Sequence, residues 1–473
     1  MRKILTSDSA RIARKELLEF KRDGRLLIAT IPLFITLSCA MAVGWQHYAS
    51  ASRGQAVAQR EERARWLDKG RLNYHVAAHF GVMVFKPYFP LSSYDFGINR
   101  YMGSYTLLEA HRENLFQDKE ADHGLPARRL SEMTVAAVLQ VLVPLVLVVL
   151  GFDLISGERE RGTWRQLLAL GVEPKKILLG KAIAFALPVA LIVIPILFLG
   201  SSLLVLRTSR WLDTLERLTA LFVSYLAFAA VVCVVTLAVT AFSGTSRRSL
   251  TLLLLFWFCN SLLGPRLAVL IASEISPEPP PVALQTHLDR ELEAVQTRER
   301  LRLATQVAQY HVGSQGELPE SVKAKNIQEN ETDNKRVTAA VFQELYSAQI
   351  RQEWLSEAAG FLFPLLSVQG LSMGIAGSDL ATHVDFANVS SAYRYRLEQI
   401  LNEEGSKQDA DTSVNGRELW ERVPPFTYAL PGLGWALKNH LIALAGLGFW
   451  LIVAVALSRL SLSRALKPDL ELA

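Results

Sequence analysis

Residues 133–155 read MTVAAVLQVLVPLVLVVLGFDLI, residues 156–176 read SGERERGTWRQLLALGVEPKK, and residues 177–206 read ILLGKAIAFALPVALIVIPILFLGSSLLVL. The pattern is an apolar block, a short charged connector and a second apolar block. Crossing a bilayer takes about 20 mostly apolar helical residues. Each block carries one charge, Asp153 in the first and Lys181 in the second, both beside the connector. Inside hydrocarbon every backbone polar group needs a partner, and a helix supplies it within the segment. Both blocks are therefore predicted to be transmembrane helices, with Pro144, Pro188 and Pro195 tolerated because neighbouring helices satisfy the freed carbonyls.

Further runs of the same kind lie on either side. Leu26–Trp45 precedes them; Leu218–Phe242 and Leu250–Ala272 follow. A sixth span at 438–458 centres on the uncharged run Leu441–Leu457. A seventh uncharged run, Ala358–Ser378, is interrupted by Gly360, Pro364, Gly370, Gly374 and Gly377. It is expected to lie at the interface or against the bundle rather than to cross.

Composition agrees with this division. The 473 residues are 50% hydrophobic, yet 20% are charged, and the mean hydropathy is +0.21. Such a chain is neither an ordinary soluble enzyme nor disordered; its apolar residues are gathered in blocks. The net charge of +5 is assigned to basic flanks of the spans, and no nucleic-acid partner is expected. Cys39, Cys233 and Cys259 all sit in apolar runs and have no metal-ligand or redox spacing.

Lysine and arginine near the span ends set the orientation. Residues 1–25 hold eight of them, the connector 156–176 holds Arg159, Arg161, Arg165, Lys175 and Lys176, and the turn near 243–249 holds Arg247 and Arg248. The tail 459–473 adds Arg459, Arg464 and Lys467. Six spans place all four segments, and both termini, in the cytoplasm. The short loop with Arg207, Arg210 and Arg217 goes against this bias. The first span is expected to be a retained anchor, because its basic flank and apolar run are both too long for a cleaved signal.

Two polar segments, 46–131 and 273–437, then lie outside the cytoplasm. Both are expected to be mainly helical, notably Arg53–Asp68, Leu284–His311, Val337–Glu357 and Val389–Asn402, with Gly313–Asn334 as a loop or hairpin tip. The fold expected is an all-α membrane protein of six transmembrane helices, with an amphipathic helix in residues 1–25 and a helical extracytoplasmic domain. In that amphipathic helix, Ala10, Ala13, Leu17 and Phe20 make an apolar stripe that can lie in the headgroup plane.

The connector carries the most specific signal. An acidic pair, Glu158 and Glu160, precedes Gly162-Thr163 and the pair Leu167-Leu168, and the third span opens with Ile177-Leu178-Leu179-Gly180-Lys181. This series resembles the coupling-helix region of ABC-2 type transporter permeases. The six spans, the amphipathic N-terminal helix and the large outer segments resemble the subgroup with an extracytoplasmic domain of unknown function; Leu107–His111, Tyr393-Arg394 and Leu401-Asn402 add weaker likeness. The resemblance implies a permease subunit of an exporter in a bacterial inner membrane, with ATP and magnesium held by a separate ATP-binding cassette ATPase. It also implies a second permease chain as partner. Glu158, Arg159, Glu160, Arg161, Gly162, Thr163 and Leu167 are the expected coupling residues, with Glu158 and Glu160 facing basic groups of the ATPase, Gly162 permitting the turn and Thr163 capping the next helix. No GxxxxGK[ST] loop occurs in the chain, so no nucleotide site of its own is expected.

Two other readings compete. The chain could transmit force to an extracytoplasmic protein without forming a conduit. Alternatively it could be a membrane-anchored metalloenzyme: His75 and His79 stand at i, i+4, the spacing that puts two ligands on one helix face, although further ligands are not apparent.

Overall fold

The computed structural model describes residues 8–466 apart from 111, 120–132, 209 and 406–415. Among the described residues, six helices are long and apolar enough to cross a bilayer: Arg25–Leu67, Val135–Glu160, Pro174–Arg207, Trp211–Phe242, Ser246–Ile275 and Leu441–Arg464. The chain is an all-α membrane protein, and its apolar blocks became these helices because the helix alone satisfies the backbone within each block.

Before the first span lies α1 (Asp8–Arg22), joined to it through Gly24, whose φ of 79° makes the sharp turn. Its inward stripe is Ser9, Ile12, Ala13, Glu16 and Phe20, rotated from the stripe read in the sequence and containing a carboxylate. The first span runs on unbroken to Leu67, well past the apolar run, so the charged stretch beginning at Arg53 is a continuation of that helix.

The segment that follows departs from the helical expectation. After α2 (Tyr74–Phe80) come three short antiparallel strands, β1 (Val82–Phe85), β2 (Tyr105–Glu109) and β3 (Arg112–Glu113), in the order β1-β2-β3. Val82 pairs with Leu108 and Phe85 with Tyr105. Strand residues alternate faces, and Val82, Val84 and Leu108 turn inward to a core with Trp66, Phe386, Leu397 and Trp420.

The second span begins with a π-turn, Val138–Leu142, and ends in α3 (Ser156–Glu160); α4 (Thr163–Ala169) completes the connector. The fifth span contains a second π-turn, Cys259–Leu263. Beyond it, α5 (Pro281–Tyr310) and α6 (Glu320–Ala358) form a long hairpin. The segment 313–334 is a hairpin tip only as far as Pro319, since α6 starts at Glu320.

The seventh apolar run becomes α7 (Pro364–Ala376), 13 residues of which eleven are buried. It ends at Gly377 in the left-handed region. Leu365, Val368, Leu371 and Ile375 share one core with side chains of the first four spans and with Ala443 and Leu447 of the sixth. Polar ties fix it there. Tyr225 Oη lies 2.8 Å from Ser372 Oγ, which donates to Asp95 at 2.5 Å, and Gln140 Nε2 donates to Tyr225 at 3.0 Å. The chain then continues through α8 (Leu380–Gly405), α9 (Arg417–Arg422) and α10 (Leu433–Asn439) to the last span.

Candidate functional site

The connector folds as two short helices at right of use to different neighbours: α3 is bound into the bundle and α4 lies across its end. In α3, Arg159 donates to the carbonyl of Ala241 at the end of the fourth span and, at 3.3 Å, to that of Arg464 in the sixth. Glu160 accepts from the backbone N–H of Ser246 at 3.0 Å and from its Oγ at 2.6 Å, at the start of the fifth. One turn of helix thus holds three span ends together.

Gly162, with φ of 73°, takes the left-handed conformation that the turn into α4 requires, as expected from the Gly-Thr pair. Thr163 does not cap α4; its Oγ1 donates to the carbonyl of Glu158 at 3.3 Å, and Gly162 holds the cap position. Trp164 is buried with Ile12, Ile155, Ile177 and Ala241, and Leu167 and Leu168 pack against that cluster. These residues seat α4 on the bundle. Arg161, Arg165, Gln166 and Leu170 point away from it, and Leu170 is 77% exposed.

Behind α3 lies a buried ionic network. Lys181 is fully buried, its Nζ 2.6 Å from Glu16 Oε1 and 3.0 Å from Glu158 Oε1. Lys15 adds contacts of 2.8 Å to Glu158 and 3.2 Å to Glu16. Lys15 also meets the half-exposed Glu19 at 3.2 Å, so two ammonium groups serve the two buried carboxylates and one at the surface; buried charges are tolerated when paired in this way. Burial disfavours the Lys15 ammonium, but its hydrogen bond to Glu158 and the charges of Glu16 and Glu158 outweigh that, and its pKa lies above the ordinary lysine value. Burial likewise raises the Glu16 carboxyl, and Lys181 and Lys15 only partly offset it.

Gly180 makes the network possible. A Cβ there would run into the carbonyl oxygen of Ser9 and the side chain of Ile12. Glycine followed by lysine therefore lets α1 lie directly on the third span while the next residue reaches its carboxylate. Close by, Arg25 meets Asp153 at 2.7 Å and sits over the rings of Phe20 and Phe152.

The sequence reading turned the acids of the connector outward, and the structure turns Glu158 inward. Glu158 is 1% exposed and turned to two lysines, so it is not on the outer face, and Glu160 is engaged with Ser246. Lys181 does not reach toward the headgroups but inward. Sequence reasoning missed Lys15, Glu16 and Leu170, and read Gly180 only as part of the series that opens the third span. One signal was available: Glu16 stands four residues from Ile12 and from Phe20, on an otherwise apolar stripe. His79 lies on α2 and is exposed, while the His75 side chain falls outside the described residues. Among the described residues no group of three or more His, Cys, Asp or Glu is placed to hold a metal ion.

A family profile described as "ABC-2 family transporter protein" matches residues 10–465, nearly the whole chain. No curated protein sequence matches.

Proposed function

The chain belongs to the ABC-2 family of transporter membrane proteins, and from that premise we propose that it is the permease subunit of an exporter driven by a separate ATP-binding cassette ATPase that docks on the connector 156–176. ATP and magnesium would sit on that partner. Both termini and the connector would face the cytoplasm of a bacterial cell, and the polar domain would face outward. A second permease chain would complete the transporter.

The observation that carries this reading is the division of labour within the connector. α4 presents a basic and apolar face, Arg161, Arg165, Gln166 and Leu170, to whatever lies below. α3 is bonded to the ends of the fourth, fifth and sixth spans and, through Glu158, to α1 and the third. Pressure on α4 would reach five helices through α3. In this account Arg161, Gly162 and Arg165 belong to the docking face, Glu158, Arg159, Glu160 and Thr163 to the transmission, and Leu167 to the seat of α4. The test is the pair Arg161→Glu with Arg165→Glu, purified with the partner ATPase. Stimulated ATP hydrolysis should fall about tenfold or more, as loss of paired interface charges does, with thermal stability unchanged. Full stimulation in that variant would refute the assignment.

A second reading, force transmission to an extracytoplasmic protein, is favoured by the unbroken first helix that joins bundle to polar domain. Passage of a substrate into sealed vesicles would decide against it.

A further inference from the structure

A cavity of about 550 Å³, with Asp95, Glu353 and Glu357 in its wall, lies where the bundle meets the polar domain. Another, of about 300 Å³, lies at the opposite end beside the connector, where the fourth and sixth spans end and the fifth begins. Val235, Ala238 and Val239 of the fourth span, Leu252 of the fifth and Leu457 of the sixth form its walls. Val235 stands seven residues before Phe242, the end of its helix, and Leu457 seven before Arg464. At 1.5 Å per residue the cavity reaches about 10 Å inward from the span ends. Deeper still, Val231 and Ala454, with Phe256 and Trp450 packed against them, close the space between the three helices.

The cavity is open on its flank. Phe242 and Leu252 both line it, and they are 50% and 51% exposed. Apolar cavities stay dry, and what lies outside this one at that depth is acyl chain. Its outer end is basic. Arg248, on the first turn of the fifth span, belongs to the wall, and Arg247 precedes it. Both are exposed, and among the described residues neither meets a carboxylate. Glu160 reaches the same turn, but both its oxygens are taken by Ser246. The site thus joins a dry slot of hydrocarbon depth to an uncompensated positive charge at its mouth.

We propose that this cavity binds an anionic phospholipid, with one acyl chain between the fourth, fifth and sixth spans and the phosphate on the Arg248 guanidinium. Arginine can hold a phosphate through two parallel hydrogen bonds, and basic pockets between spans suit anionic headgroups. A second copy of this chain is the poorer occupant. An isologous contact here would bring the Arg247-Arg248 pairs of both copies together, and like charges so placed oppose association. The bound lipid would bridge the three spans whose ends α3 holds, since Arg159 binds the carbonyls of Ala241 and Arg464 and Glu160 binds Ser246. The inference goes beyond the permease reading and does not rest on it, because binding needs neither the ATPase nor a transported substrate.

The experiment uses the full chain purified in detergent and washed free of lipid. Dioleoyl phosphatidylglycerol is the probe, dioleoyl phosphatidylcholine its zwitterionic twin and glycerol 3-phosphate the head alone; native mass spectrometry counts the molecules bound. Saturable binding of phosphatidylglycerol is expected, at least about tenfold tighter than phosphatidylcholine, from the two arginines at the mouth. Glycerol phosphate should not bind, because it leaves the slot unfilled. Arg248→Gln should weaken phosphatidylglycerol binding about tenfold, the weight of one charge-assisted hydrogen bond. Arg459→Gln, at an exposed arginine outside the wall, should leave it unchanged. Leu252→Trp sets a ring in the half-exposed mouth and should weaken both lipids. Equal affinity for the two lipids, undiminished binding in Arg248→Gln or in a folded Leu252→Trp, or equal losses in Arg248→Gln and Arg459→Gln would each overturn the proposal. So would tight binding of glycerol phosphate, which would mark a site for free phosphate, and a dimer that excludes the lipid, which would mark a second copy as occupant. Should Leu252→Trp not fold, the comparison of Arg248→Gln with Arg459→Gln decides, both being surface positions whose substitution spares the fold.

Discussion

Buried charge is arranged in two ways at the two ends of this bundle. At the end carrying the connector, Lys15 and Lys181 meet the buried Glu16 and Glu158, pressed between α1, α3 and the third span, and Lys15 also meets Glu19. At the end toward the polar domain, Glu353, Glu357 and Asp379 surround the one imidazole of His440. Each set contains buried carboxylate oxygens without a hydrogen-bond partner, Glu158 Oε2 in the first and Glu357 Oε2 and Asp379 Oδ1 in the second, but only the second set has residues, Glu353 and Glu357, in the wall of a cavity. A closed set in which every buried carboxylate meets a lysine works as a fastener. The second set borders an open volume through Glu353 and Glu357, and Lys86 and Arg217 offset part of its negative charge through Asp379.

Removing one charge from each set separates the two roles. The largest effect is expected for Lys181→Met, which leaves Glu16 and Glu158 facing each other with only the half-exposed Lys15 between them. Breaking a buried ion pair from one side costs about 3–5 kcal/mol, measurable as a fall in thermal stability in detergent. If Lys181→Met melts like the parent, the network is not a fastener.

Next in size is Gly180→Leu. Its side chain would displace α1 from the third span, and overpacking of this kind costs about 1–3 kcal/mol. Limited trypsin digestion should then cut at Arg11 or Arg14, sites on the exposed side of α1. Protection equal to the parent would show that α1 accommodates the leucine.

At the other end the sign changes. Glu353 holds its proton more tightly in the fold than in the unfolded chain, so its contribution favours folding at low pH. That contribution declines as pH rises from the unfolded value of about 4.3 to the folded value of about 7. Glu353→Gln cannot lose a proton. Relative to the parent it should therefore gain about 1–2 kcal/mol between pH 5 and pH 8, discounted for the side chain's partial exposure. A stability difference that stays flat with pH would remove Glu353 from the acidic set. The smallest effect on stability, within about 0.5 kcal/mol, is expected for Arg161→Glu with Arg165→Glu, because both are surface positions; their effect belongs to coupling.

The same contrast shows what was legible in the sequence. The six spans were, because a run of about 20 apolar residues has few other uses, and so was the connector, since Gly162 marks its turn. The fastener was not. Lys15 and Glu158 are 143 residues apart and Glu16 and Lys181 165 apart, and no local pattern announces such partners. Basic residues near a span end suggest contact with water or headgroups, which hid the inward turn of Lys181. The sheet escaped because its strands have two to five residues, too short for alternation to stand out. The cavity wall draws on residues from Asp95 to Leu380, so its acids come together only in three dimensions.

The 13 residues of α7 have a bearing on how the protein is made. A helix of that size is about 20 Å long, short of the roughly 30 Å of hydrocarbon, so insertion machinery has no complete membrane segment to release there. Its first free N–H, that of Leu365, is satisfied by Asn260 Oδ1 in the fifth span, and its flank rests on Ala443 and Leu447 of the sixth. Its berth therefore exists only once the last span has been synthesised and threaded, which makes α7 a late arrival in biogenesis and the closing piece of the bundle.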